Sequence, residues 1–528
     1  MEPELHYDDC AWTEQCKHRD DEVQSMLALI ILILTLGALS AALCERLKPG
    51  SARYIALATV TFDLLLLLPL TLTQPDQTVA VGLSEGWYLY EHYNWIPQFG
   101  VAVILAVDGL SLALLLLTLL LGIIAIAASW REIRQRCGFF YFNLLSSLAG
   151  ICGVFLALDL FLFFVFWELM LIPLYFLIGI WGYEQRHYAA LKFVIFTQAS
   201  GLLMLVSIIA LALQHQDSAG DFSFNYFDLL SSGSYARDSF WLMLGFFVAF
   251  VVKLPAVPLH SWLPDAHTQA PTGGSIILAG ILLKTGAYGL IRFLIPLFPD
   301  SLGYFAPWAM GLGVVAVVYA AMMAFVQQDL KRMIAYSSIS HMGFVLIGLF
   351  AWHSLSTQGA VYQMVTHGLS AAALFMLAGI IQHRIHSRQL SDMGGLWHCL
   401  PRAGAFMLFF VMASLGLPGL GNFVAELLVL MGSFLVNPWF AVIAASGLLL
   451  SAVYGLRMMH RAFFGKALIS RDIADLQPNE TAALATLALG LLLLGLAPQL
   501  FIDLTQPALD NLTLLINQTY HQMAGDAQ

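Results

Sequence analysis

The chain has 528 residues, of which 59% are hydrophobic and 11% are charged, whereas roughly 25% of the residues in soluble proteins are charged. A string of soluble domains is therefore excluded, and so is a single anchor on a soluble domain, because apolar stretches recur along nearly the whole chain. The net charge of −10 argues against a nucleic-acid partner, since phosphate binding needs a basic surface.

Residues 1–25 form an acidic tail in which Lys17 and Arg19 are the only lysine and arginine. A secretory signal begins with basic residues, so no cleavable signal peptide is expected. Cys10 and Cys16 of this tail could form a disulfide or stay free. The other four cysteines are scattered without a CxxC pair, so neither an iron-sulfur cluster nor a zinc site is expected in this chain.

From residue 26 onward, about fourteen apolar segments are long enough to cross a bilayer as helices, for which about 20 residues are needed. We therefore predict an all-α polytopic membrane protein. Three helices are expected in residues 26–138, five in 139–300, five in 301–466, and one in 467–528, which includes the C-terminal tail. The segments are centred near Leu34, Leu64, Leu119, Ser147, Val165, Leu203, Phe247, Leu282, Val317, Val345, Phe375, Val411, Leu448 and Leu491.

Most of the 23 lysines and arginines fall in alternate connections between these segments, among them Arg134, Lys331 and Arg388. Cytoplasmic connections of membrane proteins are enriched in these residues. The alternate connections are therefore predicted to face the cytoplasm, and both termini are expected on the outer side of the membrane.

Five ionisable residues lie inside predicted spans, where a charge is costly unless it is paired or hydrated. Any one of them could belong to a structural salt bridge, but five in one chain favour an ion path. His367 is a sixth, weaker candidate, because a histidine among small residues could equally be a packing group. The five are Glu168, Lys253, Lys284, His341 and Glu426.

The pairing of these residues can also be predicted. We expect Glu168 and Lys253 to form a switchable acid–base pair, in which each lowers the cost of the other's charge. Lys284 has no acidic residue within a helical turn. Its charge must therefore be met by water or by another span, for example by His341.

The spacing of the charged residues repeats, because Glu168, Lys253 and Lys284 are spaced as His341, Glu426 and Arg457 are. The two sets cover five predicted spans each, although the residues between them match poorly. A unit with an odd number of spans must invert in the membrane, as in many secondary transporters. We therefore predict two inverted five-helix repeats.

Each repeat also contains a predicted break in a helix. Pro255 and Pro258 follow Lys253, and the glycine-rich stretch from Gly416 to Asn422 precedes Glu426. A break frees backbone groups that only protein or water can satisfy at that depth, so each is predicted to mark a hydrated cavity. Ordinary proline kinks are the alternative.

The loop from His260 to Pro271 contains His260, Asp265 and His267. An acid and two imidazoles so close together could pass protons at a channel mouth. A metal site is disfavoured because no fourth ligand is present.

Five blocks together resemble the antiporter-like, proton-pumping membrane subunits of respiratory complex I, the NADH-quinone oxidoreductase. The resemblance extends over residues 26 to 515 or so, and residues 1–25 fall outside it. The blocks are FVFWELMLIP, VKLPAVPLHSWLPDAHTQAPTGGSIILAGILLKTGAYGL, DLKRMIAYSSISHMGF, THGLSAAALF and LGLPGLGNFVAE.

The resemblance implies fourteen helices, two inverted five-helix units and a row of buried polar groups at the membrane midplane. It assigns a proton relay to Glu168 on the fifth helix, Lys253 on the broken seventh and Lys284 on the eighth. It adds the histidines His341 and His367 on the tenth and eleventh helices and Glu426 on the broken twelfth.

The resemblance also implies partners. NADH, flavin, iron-sulfur and quinone chemistry would belong to other membrane and peripheral subunits, and this chain would supply proton translocation in a bacterial inner membrane without a cofactor of its own. Subunits of multi-component cation/proton antiporters and of membrane-bound hydrogenases are similar in the same blocks, and both remain alternatives. A purely structural scaffold is disfavoured by the five charges inside the spans.

Overall fold

The computed structural model describes residues 25–73, 86–231, 239–466, 473–510 and 512. The acidic tail with Cys10 and Cys16 lies outside the described residues, as does the C-terminal stretch beyond residue 512. The main elements, in chain order, are α1 (Met26–Leu47), α2 (Ala52–Leu72), β1 (Trp87–Ile96), β2 (Val101–Asp108), α3 (Gly109–Ser129), α4 (Cys137–Leu156), α5 (Leu160–Trp181), α6 (Arg186–Ala219), α7 (Ser239–Lys253), α8 (Trp262–Gln269), α9 (Thr272–Leu297), α10 (Pro299–Val326), α11 (Leu330–Phe350), α12 (Ser354–Ile385), α13 (Pro401–Ser414), α14 (Gly421–Val436), α15 (Pro438–Ala462) and α16 (Pro478–Leu496).

Twelve of these helices are long and apolar enough to cross a membrane. The other four helices form two divided crossings, α7 with α8 and α13 with α14, at the two places where breaks were predicted. Counting each divided pair once gives fourteen crossings in the described part of the chain. The predicted all-α multi-pass architecture is therefore confirmed.

Polar caps fix where several of these apolar helices begin. The carboxylate of Asp108 accepts a hydrogen bond of 2.8 Å from the backbone N–H of Ser111, at the start of α3. Asp159 and Asp329 cap α5 and α11 in the same way. An aspartate at this position satisfies an otherwise unpaired N–H group and stabilises the positive end of the helix dipole.

One antiparallel hairpin, formed by β1 and β2, was not predicted from the sequence. The carboxylate of Glu91 on β1 accepts hydrogen bonds from the backbone N–H groups of Leu27, at 2.6 Å, and Ala28, at 3.1 Å. The hairpin thereby caps the first turn of α1. Burial raises the pKa of this carboxyl above its ordinary value.

The centre of the bundle is formed by α9, α11 and α12, whose most apolar stretches are completely buried. In contrast, only 33%, 28% and 22% of the most apolar stretches of α1, α2 and α16 are buried. Two π-helical stretches, Leu278–Leu282 and Leu290–Leu294, interrupt α9 on either side of Lys284. Such stretches are rare and occur frequently at functional sites.

The segment from His260 to Pro271 was predicted to be a loop. This prediction is wrong, since residues Trp262–Gln269 form helix α8. The indole N–H of Trp262 donates a 2.8 Å hydrogen bond to the carbonyl of Val252, which holds α8 against the end of α7. Asp265 forms ion pairs with Lys192, at 2.7 Å, and Arg332, at 3.1 Å. Asp265 therefore links α8 to Lys192 of α6 and Arg332 of α11.

The end of the bundle where α3, α8 and α12 finish contains Arg131, Arg384 and Arg388, and we call it the arginine end. Arg388 donates a 3.0 Å hydrogen bond to the carbonyl of Thr268 and pairs with Asp329. Lys331 was predicted in a connection at this end, and that prediction is wrong, because Lys331 is the second residue of α11 and is fully buried.

Candidate functional site

Lys284 and His367 meet at the centre of the bundle. The Lys284 ammonium lies 2.9 Å from Nδ1 of His367 and donates a 2.6 Å hydrogen bond to the carbonyl of Ala279. Both side chains are buried, on α9 and α12 respectively. A group from another span therefore meets Lys284, as predicted, but that group is His367 and not His341, the example given.

His341 instead lies against Glu426. Its Nδ1 atom is 3.0 Å from Oε1 of Glu426, and its Nε2 atom is 2.9 Å from the Ser414 hydroxyl. Ser414 ends α13 and Glu426 lies on α14, so both come from the second divided crossing. The amide of Gln363 also donates to Glu426, at 3.4 Å.

The break between α13 and α14 makes room for the Glu426 carboxylate. Gly416 in this break has a φ of +71°, which L side chains rarely adopt, and a Cβ atom there would lie 2.7 Å from Oε2 of Glu426. The backbone conformation therefore favours glycine at this position, and a larger residue would displace the Glu426 carboxylate.

The two pairs are joined through the histidine rings, whose centroids are 5.6 Å apart. Lys284, His367, His341 and Glu426 thus form one continuous buried series, which we call the relay chain. Each histidine can accept a proton at one ring nitrogen and donate one from the other. The relay chain therefore brings a lysine, two imidazoles and a carboxylate, all of them groups that can exchange protons, into one buried series.

Lys253, the last residue of α7, is fully buried beside the relay chain. Its ammonium lies 3.4 Å from the centroid of the Trp167 ring and donates a 3.2 Å hydrogen bond to the carbonyl of Trp167. At Gly286, α9 packs so closely on α7 that a Cβ atom would lie 2.5 Å from the carbonyl oxygen of Phe250. Lys253 therefore sits on a helix that is in direct contact with the helix of Lys284.

Glu168 follows Trp167 but is half-buried, among exposed apolar side chains of α5. Its carboxylate packs against α6 at Gly201, in the space that a Cβ atom of that residue would occupy. Within the described residues, no ion pair joins Glu168 to Lys253. The predicted acid–base pair is thus open in this structure, with the tryptophan ring against the ammonium.

Among the ionisable groups that sequence reasoning missed, Lys331 and Asp63 are buried and Glu132 is half-buried. Lys331 was assigned to a connection between predicted spans and is instead buried in α11. Asp63 is fully buried in α2, and neither of its oxygens has a hydrogen-bond partner in the described part of the chain. The pattern TVTFDLLLLL around Asp63 could have revealed it. Glu132 binds the backbone N–H of Thr272, at the start of α9, and no sequence pattern indicated this contact.

The fold and the relay chain together define a multi-pass membrane protein with titratable groups buried across its centre, the class that contains ion-translocating membrane subunits. A family model described as NADH:quinone oxidoreductase/Mrp antiporter, TM, matches residues 157–451.

Individual relatives are more specific. The NADH-quinone oxidoreductase subunit M of Pseudomonas aeruginosa is 48% identical over 507 residues, covering 95% of this chain and 100% of that protein. The subunit M of Escherichia coli K12 is 49% identical, covering 92% of this chain and 97% of that protein. The chain therefore belongs to the family of NADH-quinone oxidoreductase subunit M.

A solved structure agrees with this assignment. A chain of respiratory complex I from Thermus thermophilus with bound NADH superposes with a TM-score of 0.83 at 30% sequence identity. The match covers 92% of this chain and 99% of that one. The similarity therefore extends well beyond residues 157–451.

Proposed function

We propose that this chain is the proton-translocating membrane subunit of an NADH-quinone oxidoreductase and that protons move through the relay chain. The observation that carries the proposal is the continuity of Lys284, His367, His341 and Glu426 across two separate helix pairs. A series of titratable groups buried in a membrane protein is costly unless it serves transport, because each charged form must be compensated.

The contacts suggest what each group does. A protonated Lys284 donates to Nδ1 of His367, which requires a lone pair there, so a neutral His367 carries its hydrogen on the other ring nitrogen. An ionised Glu426 accepts from Nδ1 of His341, while Ser414 can donate to Nε2. We propose that a proton leaving Lys284 passes to Nδ1 of His367 and, once the Ser414 hydroxyl frees Nε2 of His341, to that nitrogen, while His341 gives up its Nδ1 proton to Glu426.

Lys253 and Glu168 are proposed to control the loading of Lys284. Two cationic lysines in neighbouring helices repel each other, so a charged Lys253 disfavours the charged form of Lys284. In this structure the ring of Trp167 meets the Lys253 ammonium. We propose a second state in which Glu168 reaches Lys253, neutralises that repulsion and allows Lys284 to hold its proton.

The redox reaction is assigned to partner subunits, peripheral and membrane-embedded, which would also bind quinone. Within the described ranges, no group of three or more His, Cys, Asp or Glu residues could hold a metal ion. The arginine end is proposed to face the cytoplasm of a bacterial inner membrane, with both termini on the outer side, because it carries most of the positive charge.

The internal symmetry is proposed to be that of two inverted units, residues 139–300 and 301–466. In support, each unit holds five crossings, and the divided crossing is the fourth in both. Residues 26–138 and 467–528 would then flank the two units.

The direct test is Lys284→Met in the assembled complex, because methionine preserves volume and cannot carry a proton. Proton translocation per NADH oxidised is expected to fall by at least about tenfold, while native gels show normal assembly. Lys48→Met, at an exposed position between α1 and α2, is the matched control and should leave translocation unchanged. Normal translocation in assembled Lys284→Met enzyme would contradict the proposed function.

The assembly is tested separately. Purification from the native membrane is expected to bring down subunits with flavin and iron-sulfur clusters. Recovery with small membrane subunits alone would instead indicate an antiporter driven by an ion gradient.

A further inference from the structure

An ion pair lies at the end of the bundle opposite the arginine end, where α3 begins. Arg292 on α9 pairs with Asp108, whose other carboxylate oxygen accepts the hydrogen bond from the backbone N–H of Ser111 that caps α3. The side chains of Arg292 and Asp108 are only 11% and 4% exposed. Burying two charges is costly unless they are closely paired and further hydrogen-bonded, so the surroundings of this pair indicate what it can do.

The base of the hairpin lies against the other side of the guanidinium. The central carbon of Arg292 is 4.9 Å from the centroid of the Trp87 ring. Trp87 begins β1 and is paired across the hairpin with Asp108, the last residue of β2. Arg292 itself belongs to the π-helical stretch Leu290–Leu294. The cation is therefore held between α9, the start of α3 and the hairpin, and an arginine side chain does not release its proton.

Tyr288 lies between Lys284 and Arg292 along α9. The three residues follow one another at intervals of four, which places them along one side of the helix. Arg292 is thus about 12 Å from Lys284 along the helix axis. A proton released from Lys284 toward this end of the bundle would meet the Tyr288 hydroxyl first and the guanidinium second.

The hydroxyl of Tyr288 is not free to take up that proton. It donates a 3.0 Å hydrogen bond to the carbonyl of Phe155 and accepts one of 3.3 Å from Nε of Arg292. The Ser111 hydroxyl, whose oxygen is 3.2 Å away, then donates to it as well. A tyrosine hydroxyl has one hydrogen to donate and two lone pairs, so all three are engaged. It therefore offers no acceptor to a proton arriving from Lys284.

We propose that the pair of Arg292 and Asp108 is a barrier that keeps the proton of Lys284 from passing directly to the outer surface, so that the proton leaves through His367 instead. The barrier rests on the proposed function and adds the reason why the proton moves sideways along the relay chain. A fixed arginine excludes protons and other cations from narrow pores in the same way. With an effective dielectric constant of about 20, one charge about 12 Å away already makes a second positive charge about tenfold less populated.

The test replaces both members of the pair in the assembled complex, in sealed vesicles. Asp108→Asn/Arg292→Gln leaves no buried charge unpaired, and asparagine can still cap α3. In the absence of NADH, proton flux through the vesicles under an imposed pH gradient is expected to rise at least about tenfold, with assembly unchanged on native gels. Unchanged flux would overturn the barrier.

Lys284→Met distinguishes a leak through the relay chain from a leak through loosened packing. Methionine cannot carry a proton. Adding Lys284→Met to the double variant should therefore return the passive flux to that of the unmodified enzyme. A leak that persists in the triple variant would come from the packing and would overturn the barrier.

Arg384 and Glu480 provide the matched control, since they form an ion pair at the arginine end in which the arginine side chain is also 11% exposed. Arg384→Gln/Glu480→Gln should leave the passive flux unchanged. An equal rise in this control would assign the leak to the loss of any largely buried ion pair and would overturn the barrier.

Arg292→Lys is a second variant, which disturbs the bundle less. It keeps a cation beside Asp108, so the passive flux should stay that of the unmodified enzyme. A rise of about tenfold in Arg292→Lys would show that the charge is not what blocks the proton, and would overturn the barrier.

The barrier and the proposed function fail in different measurements. Translocation by Lys284→Met alone decides the proposed function, whereas the passive flux without NADH decides the barrier. If Lys284→Met stops translocation and Asp108→Asn/Arg292→Gln causes no leak, the relay chain stands and the barrier fails. If Lys284→Met translocates normally, both fail.

Discussion

The Nδ1 atom of His367 lies 2.9 Å from the ammonium nitrogen of Lys284, although the two residues are 83 positions apart and on different helices. Two bases at this distance favour a single shared proton, because a second positive charge in a buried site would be repelled by the first. A proton on Lys284 and a second proton on His367 therefore disfavour each other in this geometry. This favours passing the proton from one group to the other over holding a proton on both.

Proton translocation should require that Glu426 take up and release a proton, in addition to accepting the hydrogen bond from His341. In Glu426→Gln, the side-chain oxygen can still accept from His341 but cannot take up a proton. We expect translocation to fall by at least about tenfold, while Glu426→Asp retains a substantial part. Proton uptake by vesicles containing the assembled complex measures this. Equal activity of the Gln variant and the unmodified enzyme would reduce Glu426 to a packing role.

Gly416→Ala should impair translocation through Glu426. A Cβ atom at Gly416 would lie 2.7 Å from the Glu426 carboxylate, whereas at Gly419, φ +92°, the nearest atom would be 4.0 Å away, on Leu496. Both alanine variants carry a similar backbone penalty of about 1 kcal/mol. Both should assemble slightly less well, but only Gly416→Ala should lose translocation per assembled complex. Equal losses per complex would assign the effect to backbone strain.

Glu168→Ala should abolish translocation and quinone reduction in assembled complex, because Lys253 then has no carboxylate to neutralise it. Glu168→Asp keeps the charge and should be milder. Gly201→Ala provides an independent check, since its methyl group would occupy the seat of the carboxylate and should mimic Glu168→Asp. Coupled rates of NADH oxidation and proton uptake measure the effect of all three substitutions. A fully active Glu168→Ala enzyme would show that Glu168 and Lys253 do not act as a pair in translocation.

Single cysteines should report the orientation of the chain. In a background without the native cysteines, Arg134→Cys should react with impermeant thiol reagents from the cytoplasmic side, and Asp221→Cys and Asp510→Cys from the outer side. All three positions are exposed. Labelling of Arg134→Cys and Asp221→Cys from the same side would be incompatible with the bundle described here.

Asp159 should make stability depend on pH. Burial raises the pKa of its carboxyl from 3.8 to about 6, although the backbone N–H groups of Leu162 and Ala102 favour the charged form. The folded protein therefore binds this proton more tightly than the unfolded chain does. The free energy of unfolding should fall by about 3 kcal/mol between about pH 4 and pH 6 and then level off, as far as this group contributes.

Asp159→Asn isolates that contribution, because asparagine can still cap α5 and has no charge to bury. The apparent melting temperature of the purified complex should fall less from pH 5 to pH 7 in the variant than in the unmodified protein. The same pH dependence in both would show that Asp159 does not contribute.

The sequence was sufficient for the multi-pass helical architecture and for naming the four buried residues of the relay chain, since an apolar stretch of helical length and a polar residue within it are both visible locally. Which of these buried side chains contact one another could not be predicted in the same way. Whether Lys284 meets His341 or His367 depends on how α9, α11 and α12 rotate against one another, which no local pattern encodes. Lys331 was misassigned because burial at the end of a span depends on neighbouring helices such as α8.

The missed hairpin is a different case. Its first strand, WYLYEHYNWI, is rich in aromatic residues, and its second, VAVILAVD, is rich in β-branched ones, as strands commonly are. A short turn containing Pro97 and Gly100 separates them. The signal was present, but the expectation of an all-helical chain outweighed it.

Glu91 sets an order of events during synthesis. The first turn of α1 is completed by a carboxylate that lies 64 residues later in the chain. Until residue 91 has been synthesised, the N–H groups of Leu27 and Ala28 cannot bond this carboxylate. The cap at the start of α1 is therefore completed only after the hairpin has formed. A nascent chain that stops before residue 91 lacks this cap.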